Sequence, residues 1–82
     1  MVNKERVKIG DHVRVLNTQL STGLKPVGIV DNIDGYYFDV RVKVDDIEVG
    51  MEYAVFEAYE NELEIITKEQ YFKEVLRGAN NW

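Results

Sequence analysis

The segment Ile33-Asp34-Gly35-Tyr36-Tyr37-Phe38-Asp39-Val40-Arg41-Val42-Lys43-Val44 decides the fold. Phe38, Val40, Val42 and Val44 fall on one face of an extended chain, and Tyr37, Asp39, Arg41 and Lys43 fall on the other. A period of two over this length marks a strand with one buried side. The preceding Asp34-Gly35 predicts a type I′ hairpin turn, because both central positions of that turn need positive φ.

Reading toward the N-terminus, Val27 to Ile33 supplies the other arm of the hairpin, with Gly28 marking a bulge or a close backbone approach. Thr18 to Pro26 carries Ser, Gly and Pro punctuation and reads as a long loop, whose Leu20 and Leu24 are expected to cover one end of the core. Ile9-Gly10-Asp11-His12-Val13-Arg14-Val15 alternates again and forms the first strand, with Val13 and Val15 inward. Reading toward the C-terminus, Asp45 to Gly50 is a turn region and Met51 to Ala58 a fourth strand. Tyr53, Val55 and Phe56 compete for its inward side, so its register stays open. Tyr59-Glu60-Asn61 is a tight connection, and Leu63 and Ile65 place a fifth strand on the core.

Beyond Ile66 the period changes to that of a helix. Thr67 and Gln70 form a capping box, Ile66 and Tyr71 occupy the two staple positions, and Gly78 suits the stop. Tyr71, Phe72, Val75 and Leu76 make one apolar stripe, with Lys68, Glu69, Lys73 and Glu74 outside it. A helix of about 11 residues is marginal alone, so the stripe is expected to dock, on the open end of the sheet structure or on another chain.

The 82 residues make a single domain over 1–82, with strands from about 9 to 66 and a helix from about 68 to 78. A chain this small buries roughly 60% of its unfolded surface, so most apolar residues must serve the core. Cysteine is absent, which removes disulfides and thiolate metal sites. No apolar run approaches the roughly 20 residues that span a bilayer, and Met1 to Arg6 lacks the apolar stretch of a signal peptide. The expected location is cytoplasmic. The net charge of −5 is unevenly spread: residues 1–30 carry +3, residues 31–64 carry −9 and residues 65–82 carry +1. A negative field of this kind favours basic partners over nucleic acid.

Five short strands, a long first loop and a tight turn before the last strand resemble the SH3-like barrels. Within that group, Gly10-Asp11-His12-Val13-Arg14-Val15 followed by Gly28-Ile29-Val30 is similar to the KOW-type pattern. The resemblance implies a five-stranded SH3-like barrel and a module of transcription or ribosome-associated proteins that contacts RNA or other proteins. The later loops depart from a nucleic-acid-binding module, since they hold Asp31, Asp34, Asp45, Asp46, Glu48 and Glu60 in place of lysines and arginines.

The residues offer little for catalysis. His12 is the single histidine and has no nucleophile or orienting partner at a recognised spacing. Asp45, Asp46 and Glu48 lack the ligand spacing of a calcium loop. The expectation is therefore a non-enzyme with no cofactor and no metal: a protein-binding module that docks on a basic surface of a larger protein as a regulator or inhibitor. Asp45, Asp46, Glu48, Glu52, Glu57 and Glu60 would steer the encounter and Tyr59 would anchor it, with Phe56 a further candidate anchor. The rival expectation is a nucleic-acid-binding face built from Lys4, Arg6, Lys8, Arg14, Tyr37, Arg41 and Lys43. A third is assembly through the terminal helix and Trp82.

Overall fold

The computed structural model describes residues 7–19, 23–46, 51–78 and 80, with residues 44–46 and 51–52 described by their backbone alone. Strands β1 (His12–Val15), β2 (Val27–Asp34), β3 (Tyr37–Asp46), β4 (Met51–Tyr59) and β5 (Leu63–Ile65) form one antiparallel sheet in the order β4-β3-β2-β1-β5. A 3₁₀ turn, Glu60–Glu62, joins β4 to β5, and helix α1 (Lys68–Leu76) follows. The five antiparallel strands and C-terminal helix expected from the sequence are all present. The ladder itself is open, with β4 and β5 at its two edges.

The inner face of this sheet supplies its own core. Val13 and Val15 from β1, Val30 from β2, Phe38, Val40 and Val42 from β3, Ala58 from β4 and Leu63 from β5 are buried together, with Val7 among them. Ala54 and Phe56 pack against this cluster, which settles the competition on β4: Ala54, Phe56 and Ala58 point in, and Tyr53 and Val55 point out. Among the described residues no second layer covers this face, so the sheet buries it by curling on itself. Gly28 makes the curl compatible with close strand packing. A Cβ there would stand 2.4 Å from the Arg41 carbonyl oxygen, a distance only glycine avoids. Ile65 shares the inner face with its ladder partner Val13 but sits on the β5 edge and stays more than a third exposed.

The β2–β3 hairpin departs from the expected turn by one residue. Asp34 pairs with Tyr37, so the two loop residues are Gly35 and Tyr36. Gly35 has φ +61° and Tyr36 has negative φ, the pattern of a type II′ turn in place of type I′. The cause lies upstream. The ladder runs Ile29↔Arg41 and Val30↔Val40, then resumes at Asn32↔Asp39, leaving Asp31 as an extra residue in a bulge. That added residue shifts the register so that a two-residue loop closes the hairpin.

Helix α1 docks on the outer face of the sheet at β1 and β2, not over an open end. Tyr71 and Ile66 bury with Val27, and Leu24 and Val75 pack against them. Half of the predicted stripe is used: Phe72 is 53% and Leu76 88% exposed. Thr67 caps the helix as expected, its hydroxyl accepting from the Gln70 N–H at 3.0 Å. Glu74, expected to be solvated, instead lies half-buried against Arg14 of β1 at 3.0 Å. The chain then returns to β2, where the buried Asn80 side-chain oxygen accepts from the Val27 N–H at 2.9 Å. No helix among the described residues is long and apolar enough to cross a membrane.

Candidate functional site on the outer face of β3 and β4

Strands β3 and β4 pair over most of their length, and their odd-numbered residues face outward in four rungs: Tyr37↔Tyr59, Asp39↔Glu57, Arg41↔Val55 and Lys43↔Tyr53. The Tyr59 N–H donates to Glu62 Oε1 at 2.9 Å, and the Glu57 carbonyl accepts from Asn17 Nδ2 at 3.4 Å. Both groups therefore point away from β3. By strand alternation the four rungs are non-hydrogen-bonded pairs, the kind with the closer side chains.

The first rung is an aromatic pair. The Tyr37 and Tyr59 rings stack at 4.6 Å between centroids with 29° between planes, and their hydroxyls share a hydrogen bond of 2.8 Å. Both side chains remain more than two-fifths exposed. The hydrogen bond shared with Tyr59 holds the Tyr37 hydroxyl pKa above its ordinary value, since it is lost when Tyr37 gives up its proton, and Glu57 and Glu62 add negative potential in the same direction. An open groove continues past this pair along Gly35, Tyr36, Glu60 and Asn61.

The second rung sets two carboxylates opposite each other. Asp39 and Glu57 have no ion-pair partner among the described residues. Directly opposed like charges destabilise a strand pair. Rungs three and four reverse the sign. Arg41 lies over the Tyr53 ring at 5.2 Å and pairs with Asp31 at 3.6 Å, and Lys43 stands opposite Tyr53.

The residues expected to bind a basic protein partner are thus partly united. Glu57 and Tyr59 are neighbours on this face. Glu60 lies in the following turn, its carboxylate accepting from the Val7 N–H at 3.2 Å. Asp45, Asp46 and Glu52 occupy β3 and β4, where only their backbone is described, and Glu48 lies outside the described residues.

The rival basic set is dispersed. Arg14 is on the outer face of β1 and is held by Glu64 and Glu74. Lys8 sits in the turn before β1, where its N–H donates to Asp11 Oδ2 at 2.7 Å. Tyr37 stands beside Asp39 and is separated by it from Arg41 and Lys43, while Lys4 and Arg6 lie outside the described residues, as does Trp82. His12 is half-buried beneath Tyr71, with ring centroids 4.9 Å apart. Among the described residues no group of three or more His, Cys, Asp or Glu is placed to hold a metal.

Three residues of the site were separated or passed over in the sequence reading. Tyr37 and Tyr59 fell into rival sets, yet they form one stacked pair. Asp39 was placed on the outer face but given no role, because its opposition to Glu57 depends on the β4 register. Compared with known proteins, the chain matches no family model, no curated protein and no solved structure.

Proposed function

We propose that the protein is a small, non-enzymatic protein-binding module that docks on a basic surface of a larger partner through the outer face of β3 and β4. The observation that carries this reading is the Asp39–Glu57 rung beside the exposed Tyr37–Tyr59 stack. Two opposed carboxylates cost stability in the free protein. A lysine or arginine from a partner would relieve that repulsion, and an aromatic face next to it offers a cation a further attraction. The net charge of −5 steers basic partners toward the molecule.

An acidic domain of this kind would act as a cytoplasmic regulator or inhibitor, for instance by occupying the phosphate-binding surface of a nucleic-acid-binding protein. The self-packed five-stranded sheet supports the SH3-like part of the reading. The KOW-like, nucleic-acid-binding alternative gains less from the geometry, since Arg14 is engaged by two carboxylates and Arg41 by Asp31.

The test titrates the full chain with a fluorescent oligo-arginine peptide and, separately, with labelled RNA and DNA at several salt concentrations. The proposal expects salt-sensitive peptide binding that is lost in Asp39→Lys/Glu57→Lys and in Tyr59→Ala, and retained in Glu69→Lys on the far side of α1. Binding to nucleic acid that falls linearly in log salt would shift the assignment to the alternative. Equal peptide binding by every variant would rule this face out as the binding site.

A further inference from the structure

The two edges of the sheet are protected to different degrees. Strand β5 is three residues long, too short to template another strand. Strand β4 is nine residues long, and its outward backbone groups are occupied over only part of that length. The Glu57 carbonyl is taken by Asn17 and the Tyr59 N–H by Glu62. By alternation the N–H and C=O groups of Tyr53 and Val55 point the same way, and none has a partner among the described residues.

The side chains here offer no deterrent. Tyr53-Ala54-Val55-Phe56 contains no charge, no proline and no bulge, the devices that usually blunt an exposed edge. Tyr53 is 48% and Val55 58% exposed on the outer face. Among the described residues nothing covers this apolar stretch of strand, and its backbone is ready to pair.

We propose that this edge is a self-association site, in which two copies pair Tyr53 to Val55 antiparallel about a two-fold axis at Ala54. The occupant is a second copy because the segment is complementary to itself. With the axis at Ala54, Tyr53 of one copy stands opposite Val55 of the other, and each outward N–H and C=O finds its counterpart. Both outer-face rungs become aromatic–branched pairs, which favour strand pairing. The smallest side chain of the segment lies at the axis, where the strands come closest. Glu57 falls opposite Met51 of the second copy, so no like charges meet. A register moved along so that Tyr53 faces Glu57 would need backbone groups that Asn17 already occupies. The result is an isologous contact that joins two sheets into one. It leaves the Tyr37–Tyr59 rungs at the opposite ends of the paired ribbon, so this inference stands apart from the proposed binding role.

The position of the axis makes the test specific. Residues 54 of the two copies form a non-hydrogen-bonded pair with Cα atoms about 4.5 Å apart, inside the range of roughly 4.4–6.8 Å that a disulfide bridges. The chain has no native cysteine, so any disulfide in Ala54→Cys is intermolecular. Sedimentation equilibrium on the intact chain, from micromolar to millimolar concentration, is expected to show a monomer–dimer equilibrium. Under mild oxidation Ala54→Cys is expected to cross-link many-fold faster than Asn61→Cys, which sits in the exposed turn after β4. Val55→Pro removes only an N–H that faces the open edge, and is expected to leave the far-UV circular dichroism intact and the protein monomeric. A wild-type chain that stays monomeric throughout would overturn the proposal. So would a dimer in which Ala54→Cys cross-links no faster than Asn61→Cys, since the contact would then lie elsewhere, such as on the exposed Phe72 and Leu76 of α1. Should Val55→Pro fail to fold, the cross-linking comparison decides alone.

Discussion

Arg14 on β1 and Glu74 on α1, sixty positions apart in the chain, meet at 3.0 Å with side chains only 20% and 15% exposed. The same guanidinium also reaches Glu64 on β5, so one arginine ties the helix to two strands of the sheet. Charge-assisted hydrogen bonds with limited exposure are among the stronger polar contacts in a small protein. Glu74→Ala is expected to destabilise the fold by about 1–2 kcal/mol, the lower part of the usual range because Glu64 keeps the arginine paired. Glu69→Ala breaks the helix-surface pair with Lys73, both more than two-thirds exposed, and is expected to change stability by less than about 0.5 kcal/mol. Urea denaturation midpoints at constant slope measure both. Equal effects from the two variants would mean that the Arg14 contact contributes no more than a surface pair.

Gly28 is the position least tolerant of a side chain. An added Cβ would meet the Arg41 carbonyl oxygen at 2.4 Å and Val40 Cγ1 at 2.8 Å, both on the strand next to it. A valine methyl can move, but a carbonyl within the ladder cannot move without disturbing the pairing. Gly28→Ala is therefore expected to cost at least about 1–3 kcal/mol, the range for overpacking a core. The same change at Gly10, where nothing lies within 4 Å, meets only the penalty of its φ of +95°. Denaturation curves that ranked Gly10→Ala as the more damaging would contradict this account of the curl.

Much of this architecture can be read from local pattern, and the exceptions share a cause. Phe38, Val40 and Val42 alternate cleanly because one face of β3 is fully buried and the other is not. Thr67 announces the helix start because capping is a matter of adjacent residues. The turn at Gly35-Tyr36 was misplaced by one residue because its position follows from a bulge at Asp31, which only the pairing of whole strands determines. The Tyr37–Tyr59 stack was hidden for the same reason. Each tyrosine is visibly near a strand end, but their meeting depends on a register that Tyr53, Val55 and Phe56 leave undecided by pattern. The role of Glu74 was missed because a glutamate on an amphipathic helix looks solvated until a half-buried arginine is found opposite it.

Two tyrosines are expected to titrate above the ordinary range for independent reasons. Burial raises the pKa of Tyr71, with a smaller push from Tyr53, and the hydrogen bond shared with Tyr59 raises that of Tyr37. A folded-state pKa above the unfolded value means that the native state holds its proton longer. The associated stability is present below about pH 10 and is lost as pH rises through the folded pKa. Ultraviolet titration of the phenolate band should show a late fraction from these groups among the five tyrosines. Tyr59→Phe removes the hydroxyl partner and should return Tyr37 toward its usual value while leaving Tyr71 late. An unchanged late fraction in Tyr59→Phe would show that the hydroxyl pair does not hold in solution.

The Asp39–Glu57 rung gives the most direct way to separate stability from binding. In the free protein the two carboxylates face each other across a close pair with no counter-ion among the described residues, so neutralising one should stabilise the fold. Glu57→Gln is expected to raise the unfolding free energy by about 0.2–1 kcal/mol, the scale of a cross-strand pair. The same variant should bind oligo-arginine more weakly, because it has lost one of the two charges offered to a cation. Asp39→Asn should behave alike, and the two changes together should gain less than their sum, since the second neutralisation has no repulsion left to relieve. A cross-strand repulsion maintained for binding requires opposite signs in the two measurements. A variant that lost stability and affinity together would instead make Glu57 an ordinary structural residue and leave this face without a binding role.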